Sequence, residues 1–256
     1  MNTNQNRLTS EKSLSSQRTL RNKIMVLLKT NREILLLPLF ALALNTIVYS
    51  CGRALASGRF HYDMTLPLDE RIPLVPWTML IYWGCFIFWT FSYLWFASRD
   101  RKNAGHFFLM FLIGEVVCLW FFIFLPTTNV RPEITGTDFW SRSVIFLYQV
   151  DEANNLFPSI HCMISWMCWI ELRRQAPIFQ RQTRPEKAPS WLPRFRRWAF
   201  VWAIAVFIST LTLKQHVLVD IFAAIAVSEI ANRMAEISIL QEHFLKCIEK
   251  IIRKKI

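Results

Sequence analysis

Residues 154–172 read NNLFPSIHCMISWMCWIEL. The run opens on two asparagines, then a proline, a serine and a histidine, and from there is apolar for the length of a membrane helix. A titratable imidazole, His161, thus stands at the entrance of a greasy segment. Either it caps and packs a helix end, or it sits where chemistry is done.

Working outward, further apolar stretches occupy 34–50, 77–98, 107–126, 200–213 and 217–230. A spanning helix needs roughly 20 mainly apolar residues. The stretches at 34–50, 77–98, 107–126 and 156–172 meet that need; 200–213 is short, and 217–230 carries Asp220 and Glu229. Only Lys214 and Gln215 separate 200–213 from His216, so a tight turn there gives two antiparallel spans. The alternative is one bent or re-entrant segment. With 53% of 256 residues hydrophobic, and 21 Phe and 11 Trp among them, the expectation is an all-α, six-transmembrane-helix bundle. It occupies residues 34–231, between a basic cytoplasmic segment at 1–33 and a basic cytoplasmic tail at 232–256. The first 20 residues are polar and mixed, unlike a secretory signal peptide, and are expected to be disordered or interfacial.

Lys and Arg favour the cytoplasmic flanks of spans. Residues 1–33, 99–105, 173–198 and the tail from Arg233 hold seven, three, eight and six of them; 51–76, 127–155 and the turn at Lys214 hold three, two and one. This partition predicts six spans with both termini inside. The net charge of +12 then follows from topology. Its expected partners are anionic membrane lipids at the basic cytoplasmic loops, and nucleic acid is excluded because no recognition module appears. The six cysteines lie mostly within apolar segments, as small hydrophobes do, and their spacing suggests neither a disulfide framework nor a zinc cluster.

That topology gathers polar residues on the outer face. Arg131 follows the third span in FLPTTNVRPEITG, His161 opens the fourth and His216 opens the sixth. Asp220, four residues beyond His216, lies on the same helical face. It is placed to accept a proton from one imidazole nitrogen and fix the tautomer, leaving the other nitrogen free to attack. Each residue has a bland reading alone: a histidine at a helix end is commonly packed or interfacial, and Arg131 anchors in the headgroup layer. An intramembrane acid, however, is costly and is commonly functional or paired, and the convergence favours a site.

Arg131-Pro132, then Pro158-Ser159-Ile160-His161, then His216 with Asp220 resemble the three-part signature of the type 2 phosphatidic acid phosphatase superfamily. The resemblance covers roughly residues 107–231. It implies that His216 is the nucleophile that receives the phosphoryl group and that Asp220 orients it. It also implies that His161 is the acid toward the leaving oxygen, then the base toward the acceptor. Arg131 and Pro132 with Ser159 would bind the phosphoryl group, helped by helix N-termini beneath Ser159 and His216, and no metal or other cofactor is required. Two cations of the family pattern are missing, since Phe124 stands seven residues before Arg131 and Ser209-Thr210 precede His216. Lys214 is a candidate replacement. The reduced cationic set is similar to the inositol phosphorylceramide and sphingomyelin synthase branch.

The expected function is a metal-independent membrane phosphatase that hydrolyses a lipid phosphate through a phospho-histidine, facing the extracytoplasmic or lumenal side. The alternatives are a lipid headgroup phosphotransferase and a non-enzymatic lipid transporter or scaffold. Loop 51–76 reads as an ordinary interfacial loop or part of a lid, and FWSRSVIFLYQ within 127–155 as an aromatic amphipathic segment at the headgroups. The Arg- and Pro-rich 173–198 reads as an anionic-lipid anchor, and Asn45 as a polar packing residue.

Overall fold

In an apolar environment every backbone N–H and C=O must be satisfied internally, which drives such runs into helices. The computed structural model describes residues 35–98, 101–182 and 192–253. Helix α1 spans Leu35–Ala56. A short α2 (Pro67–Arg71) and a 3-10 turn (Pro76–Thr78) lead into α3 (Met79–Ala97) and α4 (Arg101–Phe124). Then come α5 (Phe139–Val150), α6 (Ile160–Gln182), α7 (Leu192–Thr212), α8 (Leu218–Ala235) and α9 (Ser238–Arg253). The departure from an all-helical chain is small: Tyr62–Asp63 (β1) pairs in parallel with Thr127–Thr128 (β2) and staples the connection after α1 to that after α4.

Among the described residues, four helical stretches are long and apolar enough to cross a membrane: Leu35–Ala56, Pro76–Ala97, Lys102–Phe124 and Pro193–Thr212. They mark the chain as a membrane protein. The stretch at 200–213 lengthens to meet the requirement because its helix begins before Pro193. The stretches at 156–172 and 217–230 fall outside this set. Their helices carry Glu171, Arg173 and Arg174 in α6, and Asp220, Glu229 and Arg233 in α8.

Those two polar helices are the central ones. α6 packs against α7, α8 and α4, and α8 packs against α4 as well. Glu171 is fully buried, where His106 Nδ1 on α4 meets one of its oxygens at 2.7 Å and Gln175 and Arg174 donate to the other. Glu229 accepts from Trp166 Nε1 at 3.2 Å and lies 3.5 Å from Arg173 Nη2. An apolar helix can face lipid; these helices need protein partners for their charges. Around them sits an aromatic core in which Phe96 and Phe107 lie 4.4 Å apart and Tyr93 touches Phe107, Phe108 and Phe111. α4 approaches α6 closely at Gly114, where an added Cβ would fall 2.5 Å from Met167 Cε.

Within the segment expected as the basic tail, residues 232–235 complete α8, and α9 follows. α9 lies against the start of α4, with Gln241 Nε2 donating to Lys102 O at 2.9 Å and Leu245 packed over Gly105. The aromatic segment expected near the headgroups is helix α5, capped by Asp138, whose Oδ1 accepts from Trp140 N at 2.9 Å and Ser141 N at 3.2 Å. The basic segment at 1–33 and residues 183–191 of the Arg- and Pro-rich loop lie outside the described residues.

Loop 51–76, expected as an interfacial loop or part of a lid, carries regular structure. It begins as the last turn of α1 and contains β1 and α2. Asp69 in α2 accepts from Leu66 N at 2.9 Å and from Leu218 N, the first residue of α8, at 2.8 Å. Its carbonyl accepts from Lys214 Nζ at 2.8 Å. One buried acid thus ties α2 to the α7–α8 turn.

Candidate active site

The start of α6 is built by Ser159, whose Oγ accepts from Cys162 N at 3.3 Å as an N-cap does. The Phe157–Pro158 peptide is cis, and Ser159 N donates to Asp220 O at 3.3 Å, which holds the α6 entrance beside α8. His161 is the second residue of α6. Its imidazole is nested among rings from one face of α3, with centroids 4.6 Å from Tyr82, 5.6 Å from Trp89 and 5.9 Å from Phe86.

His216 belongs to the turn between α7 and α8. Lys214 takes the left-handed conformation at φ 55°, and Gln215 N and His216 N both donate to Thr210 O, closing α7. Asp220, in the first turn of α8, uses one oxygen twice, accepting from Val217 N at 3.0 Å and facing His216 Nδ1 at 3.1 Å. The pairing expected of a shared helical face is therefore made differently: His216 precedes α8, and a capping carboxylate reaches back to it. With Nδ1 engaged, Nε2 is the nitrogen left for a substrate.

His161 and His216 line one cavity of about 290 Å³, with ring centres 5.9 Å apart. The chain matches no family model, no curated protein and no solved structure. What it does must be argued from this cavity.

The residues expected to bind substrate are arranged less directly. Arg131 donates from Nη1 to Asp151 O and from Nη2 to Gln215 Oε1 at 3.0 Å, and its guanidinium stacks 4.7 Å from the Tyr148 ring centre. Burial pulls its pKa below the ordinary arginine value, and the nearby Asp151 opposes that. It stands behind Gln215, a wall residue, and is not itself in the cavity lining. Pro132 and Lys214 line a second cavity of about 450 Å³, beside Asp63, Asp69 and Glu70. His216 lies in the wall of both cavities. Ser159 is buried and its oxygen serves as the cap. Of the two positions where the family pattern has cations, Phe124 is 61% exposed, and Thr210 is buried with its hydroxyl on Phe207 O at 2.9 Å.

Sequence reasoning passed over Asp151. Asp151 lines the histidine cavity and accepts from Tyr49 Oη on one oxygen and from Tyr82 Oη at 3.2 Å on the other. Its backbone carbonyl holds Arg131, and the Tyr82 it anchors lies against His161. Two local signals pointed this way. Tyr82, Phe86 and Trp89 recur at the spacing of one helical face, and Asp151 sits just before the Asn-Asn that opens the quoted stretch. Asn45, expected only to pack, donates to Glu115 Oε1 at 3.1 Å and also lines the cavity.

Proposed function

We propose that the chain is a six-span integral membrane phosphatase that hydrolyses a lipid phosphate by way of a phospho-histidine. The observation that carries this reading is the shared cavity of His161 and His216, with His216 Nδ1 held by Asp220. In the first step His216 Nε2 attacks phosphorus, the phosphorus–ester oxygen bond breaks, and the leaving alcohol takes a proton from His161. In the second, water gives a proton to His161 as its oxygen attacks phosphorus and the phosphorus–nitrogen bond breaks. Both imidazoles, with ring centres 5.9 Å apart, border the cavity that would hold the phosphoryl group. Arg131 would supply its fork after leaving Gln215. α6 and α8 complete the six spans with Glu171 and Asp220 buried against protein, and the charge partition supports an extracytoplasmic or lumenal site.

The purified chain in detergent should release phosphate from lipid phosphates without added divalent metal. His216→Ala should abolish both turnover and a labelled phospho-histidine. Complete loss of turnover in EDTA, or turnover surviving His216→Ala, sinks the mechanism. Lipid binding or transport that survives His216→Ala, with no turnover on any phosphate lipid, favours a transporter or scaffold. Accessibility tags at 131–155 that face the cytosol overturn the orientation.

A second reading, headgroup transfer to a lipid alcohol, has its own support. Among the described residues, the cavity lining holds the acid Asp151 and no Lys or Arg. A dianionic monoester asks for more positive charge than a diester, so this lining suits the diester better. Labelled phosphatidylcholine or phosphatidylinositol with a ceramide or diacylglycerol acceptor separates the two. A headgroup-labelled product lipid means transfer; free phosphate with no acceptor-dependent product means hydrolysis.

A further inference from the structure

At the far end of the bundle lies a second chemically distinct place. Arg173 stands twelve residues beyond His161 on α6, about 18 Å along the axis. There α6 and α7 form a groove of about 570 Å³ lined by Trp169, Arg173, Arg196, Arg197, Phe200 and Val201. We propose that this groove is a binding site for one anionic glycerophospholipid. The phosphate sits among the three guanidinium groups, and an acyl chain runs along Phe200 and Val201.

Three observations carry it. The first is charge. Three arginines face one groove, and the carboxylate paired to them among the described residues is Glu229, 3.5 Å from Arg173 Nη2. The groove is left with a positive excess that a phosphate offsets, and arginine forks match phosphate oxygens in pairs. The second is preorganisation. Arg173 is already laid over the Trp169 ring at 4.7 Å, which removes part of the ordering cost when an anion arrives. The third is the wall. Phe200 is 39% and Val201 63% exposed, so apolar surface continues outward from the arginines along the helix. A soluble phosphate would gain nothing from that strip; a lipid tail would.

α9 marks the same end as a headgroup layer. It docks at the start of α4, beside Lys102 and Gly105, and leaves Ile239 at 66% and Leu240 at 38% exposed beside Lys246 and Lys250. An amphipathic helix of that kind lies in the interface plane. The proposal needs the membrane reading of the helices but not the catalytic one. It gives the anionic lipid expected at the basic loops a defined seat in place of diffuse attraction.

The test counts lipids and does not measure turnover. The full chain, purified in detergent, is titrated with phosphatidylglycerol or phosphatidylcholine, and retained lipid is read by native mass spectrometry. One phosphatidylglycerol should be held over phosphatidylcholine, and Arg196→Gln with Arg197→Gln should weaken that binding by about tenfold or more. Arg233→Gln, at an exposed arginine whose Nη1 lies 3.7 Å from Glu236, should leave it unchanged. If the double variant does not fold, Arg197→Gln alone carries the test, because that side chain is exposed. Equal loss with Arg233→Gln means diffuse attraction and overturns the site. Full retention in the double variant overturns it too, as does displacement of the lipid by millimolar inorganic phosphate.

Discussion

Asp151→Asn removes one negative charge from the histidine cavity and almost no volume. Wild-type Asp151 receives two phenol hydroxyls, from Tyr49 and Tyr82, and the Tyr82 ring rests 4.6 Å from the centre of His161. Hydrogen bonds to a charged acceptor contribute about 1.5–3 kcal/mol and neutral ones about 0.5–1.5. The pair therefore weakens by about 2–3 kcal/mol, while the backbone contact to Arg131 stays. If most of that tension held His161 in register for proton transfer, kcat should fall about 10- to 100-fold with KM within about twofold. Tyr82→Phe keeps the ring on His161 and loses one hydroxyl, so its effect should be smaller, about 2- to 10-fold. The assay is product release from whichever lipid phosphate or diester the wild type turns over. An Asp151→Asn enzyme within about twofold of wild type, or a Tyr82→Phe enzyme worse than it, refutes the idea that this acid positions His161.

Other outcomes follow from acids that hold the frame. Asp69→Ala leaves Leu66 N and Leu218 N without their acceptor and should destabilise the chain by about 2–5 kcal/mol, read as a lower denaturation midpoint in detergent; Asp69→Asn should fall between. Glu171→Ala strands Arg174 and His106 around a buried hole and should cost about 3–5 kcal/mol, more than Glu171→Gln; a midpoint equal to wild type contradicts the network. The Ser141 hydroxyl, with two amide donors, holds the Asp138 carboxyl below the ordinary 3.8. A lowered folded pKa means this cap is complete above pH 3.8 and fades as pH falls through the lowered value. Amide exchange in the first turn of α5 should rise there, and Asp138→Ala should remove the transition.

The three residues at the heart of the site were legible because an acid or imidazole in an apolar run is costly enough to demand a reason. Asp220 raised the question, the shared outer face and the family resemblance added His161 and His216, and the three meet. Where Arg131 and Lys214 point was not legible. Gln215 and Asp69 decide it, from 84 and 145 residues away in the chain. Asp151 was hidden for the same reason, since its partners Tyr49 and Tyr82 sit 102 and 69 residues away. Hydropathy found the stretches now at Leu35–Ala56, Pro76–Ala97 and Lys102–Phe124, and it overrated 156–172, which falls outside the set. It undervalued 200–213, whose helix gains about two turns of mixed residues from Pro193 onward. It was silent on why α6 and α8 tolerate charge, because that answer lies in His106, Arg174 and Trp166 rather than in the runs themselves.

The charges inside α6 and α8 bear on how such a chain is made. An acid near the middle of a helix costs about 2.5–3.5 kcal/mol on the scale set by insertion machinery. In the six-span arrangement proposed here, α1 and α3 can each partition into lipid as they emerge, and α4 brings its Glu115 to Asn45, already delivered on α1. α6 cannot enter lipid cheaply until His106, already delivered on α4, meets Glu171. α8 depends on company as well. It is joined to α7 by the short turn through Lys214 and Gln215, and Trp166 and Arg173 of α6 wait for its Glu229. The half of the protein that carries His161 and His216 is therefore expected to enter the bilayer as an assembled group, with insertion and folding a single event.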